Sequence, residues 1–128
     1  MDHDIEHEAD AAGPVAAPGF LEACIMLALD AKPTYGYQLK GELDDLGFHF
    51  IDRGRIYRAL RAMEAAGQVR SRWDTTSRGP ARRIYDLEPP GQEALRAQVL
   101  AVRRQRRQLS RFLGRYERAA LARSKAVA

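Results

Sequence analysis

Four arginines, Arg53, Arg55, Arg58 and Arg61, stand within nine residues of one another, with Tyr57 among them and a single carboxylate, Glu64, close behind. Arg58 and Arg61 are three apart, so on a helix they project together. A guanidinium donates paired hydrogen bonds to phosphates and to the edges of planar acceptors, so this pattern suits recognition of a polyanion. A second group, Arg78, Arg82 and Arg83, surrounds Gly79-Pro80-Ala81. Bond-making chemistry has far less to work with. The only histidines are His3, His7 and His49, the single cysteine, Cys24, lies in the apolar run Phe20 to Leu29, and no glycine-rich phosphate loop follows an expected strand. With no nucleophile beside a base, the chain is expected not to be an enzyme and to need no cofactor or metal. His3 and His7 are four apart among carboxylates, but they fall in a stretch expected to be a solvated tail.

The net charge of +4 conceals a division along the chain. Residues 1–52 carry 11 acids against Lys32 and Lys40, a net −9, whereas residues 53–128 carry 19 Lys and Arg against six acids, a net +13. Such a split points to a polyanionic partner for the second part, because phosphate contacts release condensed counterions. No stretch approaches the roughly 20 apolar residues of a membrane span, and the acidic start lacks the basic region of a secretion signal. The expectation is a cytoplasmic protein with no membrane partner.

The elements that must hold these arginines follow from periodicity. Residues 1–18 are rich in Asp, Glu, Ala and Pro and cannot bury enough surface to order themselves, so they are expected to be a disordered acidic tail. Phe20 to Asp30 is apolar enough for a buried helix, with Cys24 acting there as a small hydrophobe. A second helix is expected from about Tyr35 to Leu46, capped by Thr34, with Tyr35, Leu39, Leu43 and Leu46 inward and Gly47 ending it. Asp52 is placed to cap a third helix carrying the four arginines, with Ile56, Leu60 and Met63 inward and Gly67 closing it. The period then changes to two. Val69, Ser71 and Trp73 alternate with polar residues, and Arg83 to Leu87 reads as the return strand of a hairpin with Gly79-Pro80 near its tip. Trp73 and Ile84 are expected to face inward.

Beyond Pro89-Pro90-Gly91 a long helix is expected to reach about Arg118, roughly 40 Å at 1.5 Å per residue. Leu95, Val99, Val102, Leu109, Leu113 and Tyr116, with Phe112 beside them, recur in steps of three and four, and only Arg106 interrupts the seam. A seam of this spacing suits packing against another helix. A helix so long overhangs a domain of about seventy residues, so its partner is expected to be a second subunit.

Helix, helix, helix, hairpin is the order of a winged helix-turn-helix domain. The fold class is therefore mainly α (α+β), a winged helix-turn-helix domain plus a long C-terminal dimerisation helix. Its divisions are residues 1–18 as tail, 19–88 as the DNA-binding domain, 89–119 as the dimerisation helix and 120–128 as a flexible tail. The third helix fits a major groove, where arginine meets guanine, and the hairpin arginines can lie along the backbone or in a minor groove. Some winged domains bind proteins instead, so an interaction adaptor is the alternative.

Tyr35-Gly36-Tyr37 with Leu39, Gly54-Arg55-Ile56-Tyr57-Arg58-Ala59-Leu60, Glu64-Ala65-Ala66-Gly67-Gln68-Val69, Ser71-Arg72-Trp73 and Gly79-Pro80-Ala81-Arg82-Arg83-Ile84-Tyr85 resemble, in order, the signature of the PadR-like transcriptional regulators. The resemblance covers about residues 19–91. It implies a bacterial repressor that dimerises through its last helix and contacts double-stranded DNA through Tyr37, Gln38, Tyr57, Arg58, Arg61, Arg78 and Arg82. Arg53, Arg55 and Arg83 join that set by their own positions. Gly47-Phe48-His49, Asp52-Arg53-Gly54 and Trp73-Asp74-Thr75 are similar to members described as polyhydroxybutyrate-responsive repressors. A homodimer on a palindromic operator, released by a small-molecule or polymer effector at the dimer interface, is the implied arrangement.

Overall fold

The computed structural model describes residues 19–76 and 78–127, so the expected acidic tail lies outside the described residues. The elements in order are α1 (Phe20–Ala31), β1 (Thr34–Tyr35), a 3-10 turn (Gly36–Gln38), α2 (Leu39–Asp45), α3 (Arg53–Ala65), β2 (Val69–Asp74), β3 (Arg82–Leu87) and α4 (Pro89–Val127). The three strands form one antiparallel sheet in the order β1-β3-β2. This is a winged helix fold with a long C-terminal helix, mostly helical with a small sheet.

The core forms where the three apolar helix stripes meet. Ile25 of α1, Leu39 and Leu43 of α2, and Ile56 and Leu60 of α3 are its fully buried side chains. Phe20 stacks on Phe48 with ring centroids 5.7 Å apart, which closes the end of the core beside the α2–α3 connection. Leu95 is the one residue of the long seam that is buried here, in the same cluster as α1. No helix among the described residues is long and apolar enough to cross a membrane.

Several expectations need correction. The second helix begins at Leu39 instead of Tyr35, because Thr34 and Tyr35 pair with Tyr85 and Ile84 as a third strand. Thr34 therefore caps no helix, and its hydroxyl donates to the Lys32 carbonyl at 3.0 Å. Leu46 is exposed, not inward. Trp73 is 60% exposed. Cross-strand partners share a face, and the register pairs Trp73 with Arg83 but Arg72 with Ile84, so Trp73 and Ile84 point to opposite sides of the hairpin. Tyr85 takes the inward place assigned to the tryptophan.

The last helix begins at Pro89 and continues to Val127, past the expected end near Arg118 and through residues 120–127 of the expected flexible tail. Nothing after Gly114 breaks it, and Ala119, Ala120 and Ala122 favour helix. Pro89 and Pro90 occupy its first turn, where their missing N–H groups have no intrahelical partner to lose. Glu88 N donates to Gln68 O at 2.9 Å, which draws this turn against the end of α3.

Gly91 makes that junction possible. A Cβ there would run into the Gln68 carbonyl and the Leu87 side chain, and the first of these is backbone that cannot turn aside. Gly91→Ala is therefore expected to lower stability by about 1–3 kcal/mol through overpacking, measured by urea unfolding. Gly114→Ala, on the exposed part of the same helix, is expected to raise it by up to about 1 kcal/mol.

Candidate nucleic-acid interface

α3 is set by its cap and its apolar stripe. Asp52 Oδ1 accepts from Arg55 N at 2.7 Å, as the sequence led one to expect, and Ile56, Ala59, Leu60 and Met63 are buried. At about 100° per residue the buried residues fill one arc, Arg55, Arg58 and Arg61 are spread over the rest of the circumference, and Arg53 stands at the edge of the buried arc beside Leu60. All four are exposed, and none of them is in an ion pair or side-chain hydrogen bond among the described residues. Glu64, the only carboxylate of α3, is turned toward the sheet. It accepts from Ser71 Oγ at 2.5 Å and lies 4.0 Å from Arg83 Nη2, while Arg83 Nε donates to Ser71 Oγ at 3.0 Å. The negative charge that could oppose the arginines is thereby used to join α3 to the hairpin.

Tyr57 is half-buried where the 3-10 turn crosses α3. A Cβ on Gly36 would come within 2.9 Å of its ring, so a side chain larger than glycine would push the turn off the helix. The turn presents Tyr37 and Gln38 at the surface beside the hairpin. Gln38 accepts through Oε1 from Tyr35 N at 3.3 Å. The Tyr37 ring stacks on Tyr35 at 5.7 Å, and the Arg82 guanidinium sits 5.3 Å over the Tyr37 ring and donates to its hydroxyl at 3.1 Å. Thus Tyr37 and Arg82 form one patch that bridges the turn and the wing.

Tyr35 anchors that patch by donating its hydroxyl to Asp74 at the end of β2. Thr76 donates to the other Asp74 oxygen through its hydroxyl at 2.6 Å and its amide at 3.0 Å. These donors, the Thr76 hydroxyl first and Tyr35 next, hold the Asp74 carboxyl down at about 2. The same Asp74 bond pushes the Tyr35 phenol above its ordinary value. Arg78 stands exposed at the wing tip, and Arg83 is half-buried with its guanidinium 5.2 Å over the Trp73 ring. Of the residues singled out by sequence, the structure therefore leaves Arg55, Arg58 and Arg61 on the exposed side of α3, Arg53 at its edge, and Tyr37 joined to Arg82. It commits Arg83 to the link between strand and helix. Tyr35 and Asp74 were missed as supports, since a 39-residue separation leaves no local signal.

Cys24 supplies no reactive thiol. Burial in α1 pushes it up to about 11.

Comparisons with known proteins agree with this geometry. Residues 25–97 match the family model described as the transcriptional regulator PadR-like family. A PadR family transcription regulator from Clostridium difficile superposes with a TM-score of 0.67 at 26% identity, covering 74% of this chain and 99% of that one. A PadR-like transcriptional regulator from Bacillus cereus gives 0.67 at 28% identity, covering 74% and 92%. Bacillus subtilis PadR, solved in complex with operator DNA, shares the fold at a TM-score of 0.55 and 18% identity, covering 62% of this chain and 46% of that one. No curated protein sequence matches the chain.

A carboxyl held low contributes stability that is complete above its ordinary value near 3.8 and is lost as the pH falls through about 2. The wing-to-turn anchor is thus expected to be at full strength at neutral pH and to weaken only in acid. In Tyr35→Phe, carbon-detected NMR is expected to place the Asp74 midpoint higher than in the parent, because one of its donors is gone.

Proposed function

The chain belongs to the PadR-like family of transcriptional regulators, and from that premise we propose that it binds double-stranded DNA as a homodimeric repressor. The observation that carries this reading is the set of four exposed arginines on α3, none of which is in an ion pair among the described residues. Arg55 and Arg58 lie toward the start of the helix, the end that approaches base edges when such a helix enters a major groove. Arg53 and Arg61, with Arg78 and the Tyr37–Arg82 patch of the wing, are placed to hold backbone phosphates. Phosphate contacts of this kind set register, and base contacts set sequence.

Dimerisation is assigned to α4. Val99, Leu109, Phe112, Leu113 and Tyr116 stand exposed along one side of it, with Val102 half-buried, and such a run of apolar surface is what a partner helix covers. Two copies related by a twofold axis would then present two α3 helices to a palindromic operator. An effector that changed the angle between the paired helices would release the DNA. A cleft of about 280 Å³ between α1 and α4, lined by Phe20, Cys24, Leu27, Leu46, Val99 and Val102, is the proposed place for it. The narrower resemblance of three short segments makes a polyhydroxybutyrate-related effector the first to try. A cytoplasmic location goes with this role.

Footprinting on the DNA upstream of the protein's own gene is expected to show two protected half-sites about 34 Å apart. Arg58→Ala and Arg61→Ala are each expected to weaken binding by about 1–3 kcal/mol, with affinity falling steeply as salt rises. A flat salt response with unchanged affinity in both variants would mark α3 as a protein-binding surface instead. Leu109→Glu with Leu113→Glu is expected to give monomers in analytical ultracentrifugation and to lose the paired footprint.

A further inference from the structure

α4 turns two unlike sides to its surroundings. Leu95, Val99 and Val102 line the cleft against α1, so the body of the domain lies on that side. At about 100° per residue, Arg103, Arg104, Arg107, Arg111, Arg115 and Arg118 fall within an arc of about 120° on the opposite side, away from the apolar seam. All six are exposed, and none is in an ion pair among the described residues. Gly114 is the one other residue of that arc between positions 103 and 118, and Arg118 Nη1 lies over it, 3.3 Å from where a Cβ would stand. Between Ala94 and Val127 the only acid is Glu117, which lies outside the arc on its seam side. A ridge of one sign along about 22 Å of helix repels itself and attracts polyanions.

We propose that this ridge is a second DNA surface, which grips the phosphates of duplex DNA without regard to sequence and on a stretch other than the one α3 meets. Three observations lead there. The first is charge. A duplex carries one negative charge per roughly 1.7 Å of its axis, about 13 over the length of the ridge, and each phosphate that an arginine neutralises releases a condensed counterion. The second is residue type. The six cations are all arginine, whose guanidinium meets a phosphate with two parallel hydrogen bonds where a lysine offers a point charge. The arc holds no aromatic ring on which an unpaired base could stack and no large apolar side chain to anchor in a protein pocket or a bilayer. A regular, rigid polyanion is what such a surface fits. The third is direction. Leu95 joins α4 to the core that α1, α2 and α3 share, and the ridge faces away from that core and from the proposed dimer seam alike. Phosphates lying on the ridge are therefore not those lying on α3.

The consequence is that one protein holds two stretches of DNA together. Once either is bound, the other is held at a high effective concentration near the second surface. This inference goes beyond the α3 reading and stands whether or not α3 binds DNA.

The test uses the full chain, random-sequence duplex and two readouts. R107Q/R111Q/R115Q is expected to bind the duplex more weakly, with the slope of log K against log salt shallower by about 0.9 for each arginine that had held a phosphate. R107K/R111K/R115K should recover most of the slope, since the charge is kept. The same loss is expected when the glutamines are placed in an R55Q/R58Q/R61Q background, so a wrong assignment of α3 leaves the outcome legible. In the second readout, protein captured on bead-bound duplex is expected to retain a second, labelled duplex, and R107Q/R111Q/R115Q to stay on the beads but lose the label. An unchanged slope would overturn the proposal, as would label retained in full by the glutamine variant. Phosphatidylserine vesicles and single-stranded polyuridylate serve as rival probes. A loss confined to either of them would assign the ridge to a membrane or to RNA instead. Should the triple variant lose helix by circular dichroism, R111Q alone, with its expected change of about 0.9, decides.

Discussion

The hydrogen bond from Ser71 to Glu64, with Arg83 beside it, is the contact on which the surface of this protein depends. It joins the last turn of α3 to the face of the hairpin, and so fixes the wing relative to the helix it accompanies. It also removes the one negative charge of α3 from the solvent side. A carboxylate left free there would sit within a turn of Arg61 and weaken its pull on any anion, since helix neighbours three and four apart interact. One short chain of polar contacts therefore orients two elements and gives the exposed face of α3 a single sign.

The close approaches in the fold serve the same arrangement. Gly36 lets the 3-10 turn lie on Tyr57, and Gly91 lets the start of α4 lie on Gln68 and Leu87. Between them these contacts lock α3, the sheet and the long helix into one body. Tyr35 extends that body to the wing through Asp74, which keeps Tyr37 and Arg82 at the edge of the α3 surface. The side chains that face solvent are thus held by a shell of less exposed ones whose own bonds are satisfied.

α4 separates two kinds of surface by phase alone. Its apolar positions recur near the helical period, so they stay on one side for the whole length. Arg103, Arg104, Arg107, Arg111, Arg115 and Arg118 fall in the gaps of that pattern and collect on the other, while Arg106 stays in the seam. A partner helix on the first side leaves the second uncovered. A fold with one domain can in this way hold the proposed dimer seam, the proposed DNA-contacting arginines and a charged ridge on separate surfaces.

Much of this was legible in the residues themselves. Asp52 as a cap, Gly67 as a helix end, the apolar stripe of α3 and its four arginines are local features. A helix needs only neighbours three and four apart to declare its faces. The family resemblance rests on such local segments too. The placement of Trp73, Thr34 and Tyr35 could not be read in the same way. Each depends on which strand pairs with which and in what register: Trp73 opposite Arg83, and Thr34 opposite Tyr85, 51 positions away. The sequence by itself determined the four helices, the hairpin and which segments are charged. Only the tertiary structure decided where Glu64, Asp74 and Arg83 spend their charge, because strand register and side-chain bonding are properties of distant segments brought together.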